Sequence, residues 1–149
     1  TVKRVSNFKA EATNSNIESV GDNKIGTIKV QNNTRDGFNV TIASEKGGIL
    51  YSSVNDDGET DIEYSIRLDK VSGVGVGGNI VEKKTFLSNE LEPNTPLNIL
   101  KISTATDGKV NSITDVNYDL VIEIAGSDEG QMAMAGSYSD TITLVYTDM

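Results

Sequence analysis

The chain contains no cysteine, no histidine and no tryptophan. The first absence excludes disulfides, thiolate zinc sites and cysteine nucleophiles. The second removes the commonest general base and the commonest metal ligand. Aromatic residues make up only 5% of the sequence, so the stacking platforms that sugar sites rely on have little to draw from. No apolar run reaches the roughly 18 residues that a spanning helix needs, and membrane insertion is not expected. A Gly-x-Ser-x-Gly elbow is also missing. Neither an enzyme nor a bound cofactor is expected.

What remains is a chain of 149 residues, the length of one domain and sufficient to bury a core without covalent staples. With few aromatics, that core must be built from valine, isoleucine and leucine, which suit a pleated surface. The formal net charge is −9. Such a surface repels phosphate backbones, so nucleic acid is not an expected partner, and anionic membrane surfaces are disfavoured for the same reason.

Nearly every segment repeats with period two between clusters of turn residues, the signature of short strands. Residues 24–31 alternate imperfectly around Gly26. In 38–44, Phe38, Val40 and Ile42 share one face. The intervening 32–37 is rich in Asn, Asp and Gly, and the pair reads as a hairpin with a longer loop. In 62–68 the apolar face is Ile62, Tyr64, Ile66 and Leu68. In 116–126 it is Val116, Tyr118, Leu120, Ile122 and Ile124. In 137–147 it is Tyr138, Ile142, Leu144 and Tyr146, with Ser139, Thr141, Thr143 and Thr147 opposite. Both prolines fall in 92–96, a loop. The only helical candidate, 87–92, is very short. About seven strands at roughly ten-residue spacing predict an all-β, immunoglobulin-like antiparallel sandwich.

Three motifs invite chemistry. Gly73, Gly75 and Gly78 satisfy Gly-x-Gly-x-x-Gly, but a strand-like segment follows where dinucleotide binding requires a helix. Asp56, Asp57, Glu59 and Asp61 cluster as oxygen ligands that calcium could use. They lack EF-hand spacing and sit where a hairpin turn collects acids anyway, so no metal is assigned. Asp128 and Glu129 form a weaker cluster still.

The sequence divides into an arm, residues 1–13, and a domain, residues 14–149. Val2, Ser6, Phe8, Ala10 and Ala12 share one parity in the arm, Arg4 interrupts it, and Val5 falls on the other. A polar stretch, 14–23, follows as a spacer. The arm can be the first strand of its own sandwich, or it can leave the domain and fill a groove in a neighbour. Alternation alone leaves both open.

The stretch 134–147 resembles the last strand of bacterial chaperone–usher pilins, of the spore-coat-U-like and class 5 fimbrial groups. It does so through Ala135, Gly136, Tyr138, Asp140, Thr141, Ile142, Thr143 and Leu144. Residues 25–44 resemble the early hairpin of such subunits, and the arm stands where their donor strand would. The resemblance implies a sandwich completed by strand donation, with Val2, Val5, Phe8, Ala10 and Ala12 as arm contacts. Tyr138, Ile142, Leu144 and Tyr146 would line the receiving groove. It implies identical subunits as partners in an exported cell-surface filament, with a periplasmic chaperone and an outer-membrane usher, serving adhesion or biofilm formation. The alternatives are a matrix fibre subunit assembled without an usher and a monomeric calcium-binding adhesion domain.

Overall fold

Alternating apolar and polar residues at a period of two give each strand one face for a core and one for water. The computed structural model of the chain describes residues 3–13, 21–32, 37–51, 62–74, 83–103, 114–124 and 137–148. They form β1 (Lys3–Thr13), β2 (Gly21–Asn32), β3 (Gly37–Ser44), β4 (Ile49–Leu50), β5 (Ile62–Val74), β6 (Lys83–Phe86), β7 (Leu97–Ser103), β8 (Thr114–Ile124) and β9 (Ser137–Asp148). Leaving aside the arm β1 and the two-residue β4, seven strands remain, the number expected. The helical candidate at 87–92 is a single 3-10 turn, Ser88–Glu90. No helix among the described residues is long and apolar enough to cross a membrane.

The strands make an antiparallel β-sandwich of two sheets, in which successive strands mostly alternate between the sheets rather than pair as the hairpins of the expected immunoglobulin-like order would. One has the order β1-β9-β3-β7. The other has the order β2-β8-β5-β4, with β6 also on β5. The hairpin expected between 24–31 and 38–44 does not form, because β2 pairs with β8 and β3 pairs with β7 and β9. Alternation fixes which face of a strand turns inward, but either sheet satisfies that face. A two-residue loop would have enforced the hairpin; the four residues between Asn32 and Gly37 let the chain change sheets instead.

Between the sheets lie Phe38, Val40 and Ile42 from β3, Tyr64, Ile66 and Leu68 from β5, Val116, Tyr118, Leu120, Ile122 and Ile124 from β8, and Tyr138, Ile142 and Leu144 from β9. The irregular alternation around Gly26 is a bulge, a register shift between Lys24 and Gly26 against β8. A second bulge lies between Lys70 and Ser72 on β5. There Gly73 adopts φ +119°, and a Cβ would stand 2.2 Å from the Asp115 carbonyl oxygen. Only glycine fits both constraints. Gly73→Ala is expected to lower stability by about 1–3 kcal/mol, measured as a shift in urea midpoint with unchanged slope.

On the outer face of the second sheet, Arg67 of β5 binds three carboxylates from three strands: Asp22 of β2, Asp69 of β5 and Glu123 of β8. The hydrogen bonds to Asp22 and then Asp69 hold the guanidinium even more firmly in its charged form. A network on one arginine fixes the lateral order of β2, β8 and β5 more effectively than separate surface pairs would.

Candidate functional site: the arm strand and the open side of the sandwich

The site is built on β9, whose even-numbered residues point between the sheets. Tyr138, Ile142 and Leu144 are buried and Tyr146 is partly so. Tyr146 stacks on Phe38 with ring centroids 5.7 Å apart. All four residues expected to line a receiving groove therefore share the inward face of one strand.

Asp140 shares that face and is 4% exposed. Its Oδ2 accepts from the Ser44 hydroxyl of β3 at 2.5 Å and from the Tyr64 hydroxyl of β5 at 2.5 Å. Its Oδ1 accepts from the Lys46 and Thr141 amides at 3.0 and 2.7 Å. Four donors satisfy this buried carboxylate, and among the described residues no cation forms an ion pair with it. Burial pushes the Tyr64 phenol above its usual range, and the hydrogen bond to Asp140 adds to this. Ser44 Oγ in turn accepts from the Gly48 amide at 2.8 Å, organising the turn after β3.

At the opposite end of β9, Asn32 of β2 donates to the Tyr146 hydroxyl at 2.6 Å and to Asp148 at 3.0 Å. Tyr146 donates to Asp148 at 2.9 Å. Burial is the main cause of a raised Tyr146 phenol. So β9 is tied to the opposite sheet by polar groups at both ends, through Tyr64 and through Asn32.

The arm strand β1 pairs antiparallel with β9 of the same chain, from Lys3 opposite Thr147 to Thr13 opposite Ser137, eleven pairs with no register shift. Parity then decides the arm contacts. Phe8 and Ala10 turn inward; Ala10 is fully buried and Phe8 is half-buried. Ala12 stands opposite Tyr138 in the ladder. Val5 lies on the outer face, 55% exposed, because a strand cannot present Val5 and Phe8 on the same side. Val2 lies outside the described residues.

Phe8 reaches across to the other sheet. A Cβ on Gly26 would lie 2.5 Å from its ring, so the absent side chain is the seat for the aromatic edge. Nearer the N-terminus the inward places belong to Arg4 and Ser6, which do not fill the space behind them. A cleft of about 480 Å³ remains between the β1 and β2 edges, floored by Ile28, Val30, Val40 and Leu144 with Tyr146 at one end. Among the described residues no ion pair engages Arg4 at its mouth.

The acidic cluster Asp56, Asp57, Glu59 and Asp61 lies outside the described residues, as do Gly75, Gly78, Asp128, Glu129, Ala135 and Gly136. Among the described residues no group of three or more acidic side chains is placed to hold a metal. Sequence reasoning missed the Ser44–Tyr64–Asp140 network. The available signal was an aspartate at an inward parity between Tyr138 and Ile142, a position that demands buried donors.

No family model matches the sequence. No curated protein matches it either. Among solved structures, the chain is similar to the VP2 subviral particle protein of infectious bursal disease virus, with a TM-score of 0.41 and 15% identity over 97% of this chain and 32% of that one. A chain in a solved structure of the Gx strain of that virus gives a TM-score of 0.35 and 14% identity, over 97% of this chain and 32% of the other. The chain thus spans about a third of the length of these viral proteins.

Proposed function

We propose that this chain is a structural subunit of an extracellular filament, a pilus or fimbria, joined to identical copies by exchange of the N-terminal strand β1. Adhesion or biofilm formation is the role such a filament would serve. The observation that carries the reading is the way the arm is held. It makes an eleven-pair backbone ladder with one strand, β9, yet the described side chains it commits to the core are only Phe8 and Ala10. Backbone pairing and the Phe8 seat are the same whether the arm comes from the same chain or from another copy. Exchange between copies therefore leaves the bonding unchanged and links one subunit to the next head to tail.

With the arm withdrawn, β9 would be a bare edge, a hazard that a periplasmic chaperone and an usher would cover. The arm's docking on its own β9 supports a second reading, a matrix fibre subunit that stays closed and soluble until exchange and needs no usher. Expression without a chaperone separates the two readings. Soluble closed monomers that later polymerise favour the second, and aggregation favours the first.

Deleting residues 1–13 tests exchange itself. The full chain is expected to form filaments visible by electron microscopy. The deleted chain is expected to form none, and to recover a folded, arm-occupied state when a synthetic peptide of residues 1–13 is added. Filaments of normal yield from the deleted chain would rule out the proposal.

A further inference from the structure

The open side of the sandwich carries the one described edge that is neither short nor interrupted by a register shift. Of the other described edges, β2 is bulged at Lys24–Gly26, β7 is out of register opposite Val40–Thr41, β4 has two residues and β6 has four. Bulges and short strands are the usual devices against edge pairing. β1 alone runs eleven residues in unbroken register, with one row of backbone groups facing outward. Beside it lie half-buried apolar residues that the fold leaves unfinished: Phe8, Ile25 and Ile28.

We infer that this side is a two-fold interface with a second copy of the chain, β1 pairing antiparallel with β1 about an axis through Asn7. The register follows from charge. With Asn7 on the axis, Lys3 stands opposite Glu11 twice, Val5 opposite Lys9, Arg4 opposite Ala10 and Ser6 opposite Phe8. Moving the axis to Ser6 sets Lys3 against Lys9 twice; moving it to Phe8 removes the ion pairs. Opposite charges across a strand pair stabilise and like charges destabilise. The Lys9 stem covers Val5, which is 55% exposed in the single chain. The two four-stranded sheets join into one of eight strands. The two β2 edges then lie on the same side of it, which brings the clefts mouth to mouth and covers Phe8 and Ile28. This goes beyond arm exchange, because the outer edge of β1 stays open whichever β9 the arm lies on.

The absence of cysteine makes the test clean. Val5→Cys and, as a control, Leu87→Cys on the far side of the sandwich are each spin-labelled in the full chain. Paired arms place the two Val5 Cα atoms about 15 Å apart, so Val5→Cys is expected to show strong spin–spin coupling that vanishes on dilution with unlabelled chain. Leu87→Cys is expected to show none. Glu11→Lys is expected to weaken dimerisation about tenfold by sedimentation, and Lys3→Glu with Glu11→Lys to restore it. Absence of coupling at Val5, or failure of the double exchange to restore association, overturns the two-fold interface. Filaments without Val5 coupling would overturn this inference alone; coupled dimers that never form filaments would overturn arm exchange alone.

Discussion

Asp140→Ala is expected to destabilise the domain by about 3–5 kcal/mol, a large share of the 5–15 kcal/mol that holds a typical domain folded. The carboxylate accepts from Ser44, Tyr64 and the Lys46 and Thr141 amides. Removing it strands the Ser44 hydroxyl and the two amides, and leaves the Tyr64 hydroxyl only its longer bond to Ser44 Oγ at 3.2 Å. Asp140→Asn is expected to cost less, since one oxygen remains, but its amide would face the hydroxyl donors. Urea unfolding followed by circular dichroism measures both. A loss below about 1 kcal/mol for Asp140→Ala would mean that water takes the place of the carboxylate. The same network gives the chain an alkaline limit. Tyr64 is raised by burial first and by Asp140 second, so the folded state favours the neutral phenol. That stabilisation is complete below the ordinary tyrosine pKa of about 10 and falls as the pH rises past it, because the unfolded chain ionises there and the folded one does not. Tyr146, raised in the same direction, adds to the slope, and Tyr64→Phe should make it shallower.

The second large effect is expected at Gly26. Any side chain there collides with the Phe8 ring, since a Cβ would already stand 2.5 Å from it. Gly26→Leu should displace the anchor of the arm while leaving the sheets behind it intact. Burying a phenylalanine is worth about 1.5–3 kcal/mol, so losing the seat should raise the undocked fraction of β1 by tenfold or more. Hydrogen exchange would show this as faster exchange along 3–13 and 137–148, with β5 and β8 unchanged. Under the proposed arm exchange, filament yield should fall in step, and Phe8→Asp should reproduce the loss. The decisive variant is Gly26→Leu with Phe8→Ala, in which the leucine occupies the space the ring vacated. Partial recovery of arm protection would establish direct coupling of the two sites; additive damage would show that Gly26 acts through β2 alone.

The core was legible where one strand carries its own pattern. β3, β5, β8 and β9 turn inward the residues that period two picks out, and β9 presents Tyr138, Ile142, Leu144 and Tyr146 together. Legibility ended where the answer depends on a second strand. The partners of β2 and β3 could not be read, because an apolar face suits either sheet. The Arg67 cluster draws Asp22, Asp69 and Glu123 from positions up to 56 residues away in sequence, a meeting that only the β2-β8-β5 order creates. In the arm, Val5 and Phe8 have opposite parity, and alternation does tell them apart. The seat on Gly26 was not readable, since a glycine in an irregular strand marks a bulge without naming its neighbour.

The two polar ties on β9 also determine how the domain would carry load. Tension applied along the arm enters β9 in shear, spread over eleven ladder pairs that must fail together. From β9 it passes to the other sheet through Tyr64–Asp140 at one end and Asn32–Tyr146–Asp148 at the other, with apolar contacts between them that resist sliding only weakly. The strand that receives the arm is thus the stiff member of the domain, and rupture under force would begin at a hydrogen bond to Asp140 or Asn32 before the core opens.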